Sequence, residues 1–138
     1  DVTYINGEAE ELLPEKKETF DVVTCLEAIE HVPDPQQLVK TCSDLCKPGG
    51  TIVFSTINRN PKSFLFAIIG AEYILNLLPK GTHEFKKFIK PSELSNMMRN
   101  SNLEVKEIIG MSYNPLTKKY WLGKDVDVNY LIHAEKSK

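Results

Sequence analysis

The amino-acid sequence predicts an α/β fold in which parallel strands form the centre of a sheet. Two mostly apolar runs, 20–26 and 51–55, are continuous and carry β-branched residues, a pattern typical of strands buried on both faces. A helix is predicted between them, because Asp34-Pro35 is an N-cap residue followed by proline at the first helical position. Lys47-Pro48-Gly49-Gly50 ends that helix. Strand, helix and strand with short links form a βαβ unit, whose crossover is expected to be right-handed.

Weaker patterns predict the other elements. Residues 2–5 are typical of a short strand and residues 8–13 of a brief helical turn, while residues 103–109 alternate like a half-exposed strand. A mainly apolar segment, a further helix and a last strand complete the prediction: 64–78, 91–99 and 126–134. Tyr120 and Trp121, close to the last strand, are expected to be packing groups.

The composition limits the classes of protein to which the chain can belong. The chain has 138 residues, of which 41% are hydrophobic, and a formal net charge of −2. These values indicate one globular domain with a substantial core, and they exclude an intrinsically disordered chain. The near-neutral charge argues against nucleic acid as a partner. Of the three cysteines, Cys25, Cys42 and Cys46, the last two share a predicted helix face and are predicted to be core residues. A zinc site is disfavoured because no second pair of ligands stands at zinc spacing, and the odd number of cysteines favours a reducing compartment.

Two carboxylates and an imidazole directly follow the first apolar strand: Glu27, Glu30 and His31. Ligands of open parallel sheets bind beyond the carboxyl ends of the strands, so this position makes the three residues candidates for a functional site. In helical geometry, Glu27 would share a face with Glu30 and His31. Three interpretations remain open: solvated loop residues, a divalent metal site, or a general base at His31 oriented by a neighbouring carboxylate. Asn58 and Arg59 follow the second strand and are expected to line the same pocket.

Several motifs, in order, resemble one protein family. Phe20-Asp21-Val22-Val23, Glu27-x-x-Glu30-His31-Val32-x-Asp34 and Leu45-x-Lys47-Pro48-Gly49-Gly50 are similar to the middle of class I S-adenosylmethionine-dependent methyltransferases. Later segments narrow the resemblance to the ubiquinone-biosynthesis O-methyltransferases, which act on polyprenyl dihydroxybenzoates and demethylubiquinols. Those segments are Ser55-Thr56-Ile57-Asn58-Arg59-Asn60, Ala71-Glu72-Tyr73-Ile74, Pro79-Lys80-Gly81-Thr82-His83, Lys87-Phe88-Ile89, Tyr113-Asn114-Pro115 and Val128-Asn129-Tyr130. The resemblance implies part of a Rossmann-like sheet, mostly parallel with an antiparallel last strand.

The resemblance also implies roles for particular residues. Glu27, Glu30 and His31 match Mg²⁺ ligands of the family, with His31 and Glu30 as the catalytic residues. Leu26 and Glu8 match positions that contact S-adenosylmethionine. The implied reaction transfers a methyl group to a phenolic or catechol hydroxyl of a polyprenylated substrate. Two alternatives remain: a class I methyltransferase for another small acceptor, and a truncated, non-catalytic module that binds a membrane or a complex.

One departure from the family pattern concerns the cofactor. The Gly-rich loop of the fold has no counterpart here, because Gly49-Gly50 stands in a helix-to-strand turn. Residues 1–138 are therefore expected to be the carboxyl-terminal part of one methyltransferase domain, with an apolar helical segment inserted at about 61–90.

Residues 64–78 form an apolar segment that is too short, with Glu72 inside it, to span a bilayer. It is either a buried helix over the sheet or an interfacial segment followed by Lys80, Lys86, Lys87 and Lys90. The resemblance implies a peripheral location on the matrix side of the mitochondrial inner membrane or the cytoplasmic face of the bacterial inner membrane. It also implies contact with a quinone-biosynthesis complex.

Overall fold

The computed structural model describes residues 1–64, 85–114 and 117–138. Its α-helices are α1 (Leu13–Lys16), α2 (Pro35–Leu45), α3 (Pro61–Ser63) and α4 (Pro91–Arg99). Its strands are β1 (Phe20–Leu26), β2 (Cys46–Ile57), β3 (Leu103–Asn114), β4 (Lys119–Gly123) and β5 (Asn129–Lys136). Short 3₁₀ helices lie at Ala9–Leu12, Ile29–His31 and Phe85–Lys87.

The five strands form one mixed sheet in the order β1-β2-β5-β3-β4. β1 and β2 pair in parallel, whereas β5 pairs antiparallel with both β2 and β3. Strands β1, β2 and β3 therefore run in one direction, and the last strand is inserted between two of them in the opposite direction. The α/β fold with an antiparallel last strand is confirmed.

Helix α2 begins and packs as the sequence predicts. The Asp34 carboxylate accepts a hydrogen bond of 3.0 Å from the Gln37 backbone N–H, which caps the first turn. Two side chains tie α2 to α4: Ser43 Oγ donates to the Ser101 carbonyl at 2.7 Å, and Gln36 donates to the Met97 carbonyl. Both helices therefore cover the same face of the sheet. The buried core of the described residues includes Cys25, Val39, Cys42, Cys46, Ile52, Phe54, Leu94, Met98, Tyr130, Ile132 and Ala134.

Strand β1 differs from the prediction that it is buried on both faces. Cys25 is buried against the core, but Val22, Thr24 and Leu26, on the opposite face, are exposed. The reason is position, because β1 is the edge strand of the described sheet and α2 and α4 cover only one face. The predicted strand at 2–5 is also wrong, since these residues are exposed and pair with no strand of the described chain.

The carboxyl-terminal region contains a hairpin that the sequence did not predict. Strand β3 continues to Asn114, and β4, which begins at Lys119, pairs with it antiparallel. Tyr120 and Trp121 lie on β4 and are exposed, so their prediction as packing groups is wrong. At the base of this hairpin, Gly110 accommodates the backbone of Asp125, whose carbonyl oxygen would lie 1.7 Å from an added Cβ.

Most of the apolar segment at 64–78 lies outside the described residues, as do Glu72 and Lys80. Phe64, its first residue, is partly exposed and packs edge-on against Phe85 with ring centroids 5.4 Å apart. In the part of the chain that the structure describes, no helix is long and apolar enough to cross a bilayer.

Candidate active site

The candidate site lies where β1 and β2 end side by side. Leu26, the last residue of β1, pairs with Ser55 of β2, and Glu27 follows directly. Glu27 has φ = 51°, in the left-handed region that non-glycine residues rarely adopt. Its N–H donates to the Ser55 carbonyl at 3.1 Å. Strained backbone of this kind costs of order 1–3 kcal/mol and clusters at functional sites.

The Glu27 carboxylate is held by the ends of two other strands. Ser55 Oγ of β2 donates to its Oε1 at 2.7 Å, and Asn129 Nδ2 of β5 lies 3.4 Å from its Oε2. The sequence pointed to Asn129 only through the resemblance, because this contact joins residues 102 positions apart. Three strands thus meet at one carboxylate.

Glu30 is the buried carboxylate of the site, with 3% of its surface exposed. Its Oε2 accepts a hydrogen bond of 2.8 Å from Thr56 Oγ1 of β2. Its Oε1 is buried and has no hydrogen-bond partner among the described residues. A buried acceptor without a donor costs roughly 1–3 kcal/mol, more for a charged group, so this oxygen is a candidate position for contact with a bound molecule or with His31.

His31 stands beside that orphaned oxygen and reaches solvent. Its Nε2 lies 4.0 Å from Glu30 Oε1, and about half of its side chain, 49%, is exposed. The distance is longer than a hydrogen bond but short enough for a charge on one group to act on the other. The structure therefore brings together Glu30 and His31, the pair that the sequence predicted.

Glu27 and Glu30 do not share a helix face as the sequence suggested. The left-handed backbone at Glu27 keeps it out of the following 3₁₀ turn, Ile29–His31. Side chains alternate along a strand, so Ser55 and Thr56, the partners of the two carboxylates, lie on opposite faces of β2. The sheet thus divides the two carboxylates between its faces.

Because the two carboxylates are divided between the faces of the sheet, the expected Mg²⁺ site is not formed by Glu27, Glu30 and His31 together. The donor types suit Mg²⁺, but among residues 1–64, 85–114 and 117–138 no three His, Cys, Asp or Glu side chains are grouped to hold a metal ion. Glu27, Glu30 and His31 therefore do not fit a metal centre in this arrangement.

The two predicted cofactor residues lie apart from the sheet core. Leu26 is an apolar side chain with 53% of its surface exposed at the carboxyl edge, which suits contact with a bound molecule. Glu8 is exposed and precedes the 3₁₀ helix Ala9–Leu12, whose Glu10 accepts a hydrogen bond from Thr41 of α2. Both positions are accessible to a ligand.

Asn58 and Arg59, expected to line the pocket, hold neighbouring segments together at this edge. Asn58 Nδ2 donates to the Val126 carbonyl at 2.9 Å, and Arg59 pairs with Glu93 of α4. These contacts fix the segment that leaves β2 at the edge where the site lies.

Tyr130 anchors the core directly beneath the site. Its hydroxyl donates to the Ile89 carbonyl at 2.8 Å, and it pairs in register with Thr56. Burial raises the pKa of Tyr130 above its ordinary range, and the negative charges of Glu93, Glu30 and Glu27 act in the same direction.

Comparison with known proteins identifies the family. A family model described as a methyltransferase domain matches residues 3–108. Curated relatives include a ubiquinone biosynthesis O-methyltransferase of Marinobacter nauticus, 63% identical over 135 residues, and one of Nitrosospira multiformis, 61% identical over 131 residues. These alignments cover 96% and 95% of this chain but 57% and 55% of the relatives. The chain spans a little over half the length of the curated relatives it matches.

Solved structures show the same fold. A SAM-dependent methyltransferase of Thermotoga maritima superposes with a TM-score of 0.67 at 26% identity, over 95% of this chain and 62% of that protein. An O-methyltransferase family protein of Burkholderia thailandensis superposes with a TM-score of 0.60 at 14% identity, over 99% of this chain and 36% of that protein. The resemblance read from the motifs is confirmed. The chain belongs to the methyltransferase domain family and has the fold of its S-adenosylmethionine-dependent members.

Proposed function

We propose that this protein transfers a methyl group from S-adenosylmethionine to a phenolic or catechol hydroxyl of a polyprenylated ubiquinone precursor. The names of relatives more than 60% identical over nearly the whole chain support O-methylation in ubiquinone biosynthesis. The observation that carries the proposal is the Glu30–His31 pair, a buried carboxylate beside a half-exposed imidazole at the carboxyl edge of the sheet.

His31 serves as the general base. Its exposed imidazole accepts the proton of the phenolic hydroxyl, and the resulting phenolate oxygen is the nucleophile. The carboxylate of Glu30, 4.0 Å away, stabilises the imidazolium that forms. Because Thr56 holds only one of the two Glu30 oxygens, the other is left to face His31.

When bound, S-adenosylmethionine supplies a methyl group on a sulfonium sulfur, and this sulfur is the leaving group when a phenolate takes the methyl group. Leu26, at the open carboxyl edge of β1, and Glu8, in the segment before α1, would hold the cofactor. The half-exposed apolar surface of Leu26 supports this assignment. The acceptor oxygen must approach in line, so these residues contribute by positioning rather than by chemistry.

Mg²⁺ is implied by the resemblance alone; the arrangement of Glu27, Glu30 and His31 does not fit it, and the proposed reaction does not require it. Glu27 is engaged with Ser55 and Asn129, while the Glu30 contact to Thr56 lies on the other face of the sheet. Titration of the protein with Mg²⁺ by calorimetry tests the prediction directly. Heat of binding that Glu30→Gln abolishes would establish the metal site, and no heat would exclude it.

The membrane and partner assignments are further parts of the proposal. A polyprenyl tail partitions into a bilayer, so the enzyme acts as a peripheral protein on the matrix side of the mitochondrial inner membrane or the cytoplasmic face of the bacterial inner membrane. Contact with a quinone-biosynthesis complex would deliver the substrate. Lys86, Lys87 and Lys90 are close in sequence to the apolar segment and suit anionic headgroups.

The test combines cofactor binding with turnover. We expect calorimetry to detect S-adenosylmethionine binding, and His31→Ala and Glu30→Ala to lower methyl transfer to a prenylated catechol roughly 100-fold or more while the affinity for S-adenosylmethionine is kept. His133→Gln is the matched control, because His133 lies within β5, paired with Val53 and away from the site. Absence of cofactor binding would favour the non-catalytic alternative. Full turnover in His31→Ala would contradict its role as the base.

A further inference from the structure

The hairpin of β3 and β4 exposes apolar side chains that the core does not use. We call its described residues, 111–114 and 117–123, the aromatic hairpin. Exposure reaches 67% for Tyr120, 52% for Trp121 and 58% for Leu122. None of the three belongs to the hydrophobic core. Large apolar side chains that are exposed together in one short segment, rather than scattered singly over the surface, point to an interaction site.

Both faces of the hairpin carry these side chains. Tyr120 and Leu122 point to one side of β4 and Trp121 to the other, since side chains alternate along a strand. Tyr120 packs on Tyr113, its partner in register, with ring centroids 4.4 Å apart. A protein lying on one face would leave the other in water, whereas a membrane interface surrounds the end of a hairpin on both sides.

The hairpin lies at the edge of the sheet that carries the candidate active site. Ile57, the last residue of β2, pairs in register with Asn129 of β5, and Asn129 pairs in register with Met111 of β3. β3 runs in the same direction as β2 and continues for three residues, to Asn114, beyond Met111. At about 3.3 Å per residue, the hairpin extends roughly 10 Å beyond the end of β2.

The charges around the hairpin favour an anionic surface. Lys118, Lys119 and Lys124 are exposed, and none of them forms an ion pair with the described residues. The nearest acidic residues along the chain, Asp125 and Asp127, are both paired with Lys62, at 2.8 and 3.0 Å. Because Lys62 carries one positive charge against their two negative charges, these three groups and the three hairpin lysines together still sum to a net charge of +2.

We propose that the aromatic hairpin docks on an anionic phospholipid bilayer, with Trp121 and Tyr120 at headgroup depth and Lys118 and Lys119 against lipid phosphates. Aromatic rings with a polar atom favour this depth, and each lysine near the surface adds to binding. The contact turns the carboxyl edge of the sheet, with Glu30 and His31, toward the bilayer. The value of this orientation for catalysis rests on the proposed function, but the docking itself does not require that function.

Tryptophan fluorescence tests the proposal, because Trp121 is the one tryptophan of the sequence. Vesicles of phosphatidylcholine with phosphatidylglycerol are expected to shift its emission to shorter wavelength, and brominated phosphatidylcholine in these vesicles should quench it. Vesicles of phosphatidylcholine alone should have little effect. The double variant Lys118→Glu with Lys119→Glu keeps the reporter and should weaken vesicle affinity roughly tenfold or more.

The matched control makes the same charge change at the opposite edge of the sheet. Lys16 and Lys17 are exposed just before β1 begins, and Lys16→Glu with Lys17→Glu should keep vesicle affinity within about twofold. Equal loss in both double variants would overturn the proposal, as would vesicle binding with unchanged Trp121 emission, or no vesicle binding. An emission shift that grows with protein concentration without vesicles would indicate a second copy as the occupant instead.

The proposed function can fail separately. Methylation of a water-soluble catechol needs no vesicle, so it measures the chemistry alone. Vesicle docking without such activity would overturn only the proposed function, and activity without docking would overturn only the role of the aromatic hairpin.

Discussion

Two regions at the carboxyl edge of the same sheet depart from ordinary burial in opposite directions. Where β1 and β2 end, Glu30 is a carboxylate buried to 3% exposure with one oxygen left without a partner in the described chain. Where β3 and β4 meet, Tyr120, Trp121 and Leu122 are apolar side chains left in solvent. Both arrangements cost free energy in the isolated protein.

The comparison shows how a fold can separate stability from function along one edge. Tyr130 of β5 stands between the two regions, since it pairs with Thr56 on one side and Gly110 on the other. It is fully buried, and its hydroxyl is satisfied by the Ile89 carbonyl. We expect changes at the middle strand to alter folding, and changes at the two outer regions to alter binding and chemistry.

The largest expected effect is at the buried carboxylate. Glu30→Gln should lower turnover roughly 100-fold or more, because the amide carries no charge to stabilise an imidazolium on His31. The free energy of unfolding should stay within about 1 kcal/mol, since the amide oxygen still accepts from Thr56. Methyl-transfer kinetics and urea denaturation measure the two. Glu107→Gln, at an exposed position of β3, is the control, and equal turnover in the two variants would contradict the prediction.

The next effect is at the base of the aromatic hairpin. Gly110→Ala would place a Cβ 1.7 Å from the Asp125 carbonyl oxygen, a backbone atom that cannot rotate away. The chain must shift, so a loss of about 1–3 kcal/mol in the free energy of unfolding is expected in urea denaturation. Gly123, its partner in register, has open space around it, and Gly123→Ala should be close to neutral. Similar losses at both positions would argue against this close approach.

A somewhat smaller effect is expected at the middle strand. Tyr130→Phe removes a hydroxyl that donates to the Ile89 carbonyl at 2.8 Å and leaves that carbonyl without its donor. The free energy of unfolding should fall by about 1–2 kcal/mol, measured by urea denaturation at neutral pH. Tyr4→Phe, at an exposed position, should change nothing, and an unchanged Tyr130→Phe midpoint would show that the hydrogen bond contributes little.

The same residue predicts a dependence on alkaline pH. Burial raises the pKa of Tyr130 in the folded protein, whereas in the unfolded chain it ionises near its ordinary value of about 10. Above that pH the unfolded state binds fewer protons than the folded state, so stability is present below pH 10 and declines above it, by at most about 1.4 kcal/mol per pH unit. Tyr130→Phe should show a shallower decline; parallel profiles would contradict the assignment.

The smallest effect on stability is expected at the aromatic hairpin itself. Trp121→Ala should change the free energy of unfolding by less than about 0.5 kcal/mol, because 52% of the residue is exposed and it does not belong to the hydrophobic core of the described residues. Phe54→Ala is the matched aromatic control in β2, fully buried, and should cost about 3–5 kcal/mol. A large loss at Trp121 would mean that the hairpin stabilises the fold and would erase the contrast between the two regions.

Local patterns predicted much of the fold correctly. The cap at Asp34 marked the beginning of α2 because an N-cap depends only on the next three residues. The apolar stripe of α2 placed Val39 and Cys42 in the core for the same local reason. The sequence also placed Glu30 and His31 at the carboxyl end of β1, where the structure has them, because the end of a strand and the residues that follow it are contiguous; their role stays a prediction.

Other features depend on residues that are distant in the chain. Asn129 reaches Glu27 from 102 positions away, and Gly110 accommodates Asp125 across a strand pair. The exposure of β1 depends on which face of the sheet α2 and α4 cover. Strand β4 contributes no residue to the hydrophobic core of the described chain, so it lacks the pattern of buried apolar residues from which strands are predicted. None of these leaves a periodic signal in the segment concerned.

By itself the sequence determined the βαβ unit, the antiparallel last strand through its resemblance, and the residues that follow β1. Only the tertiary structure decided that Glu27 and Glu30 are divided between the two faces of the sheet and that the aromatic hairpin lies at the same edge as the site. The physical reason is that propensity and capping act over a few residues, whereas strand order and register set which distant side chains meet.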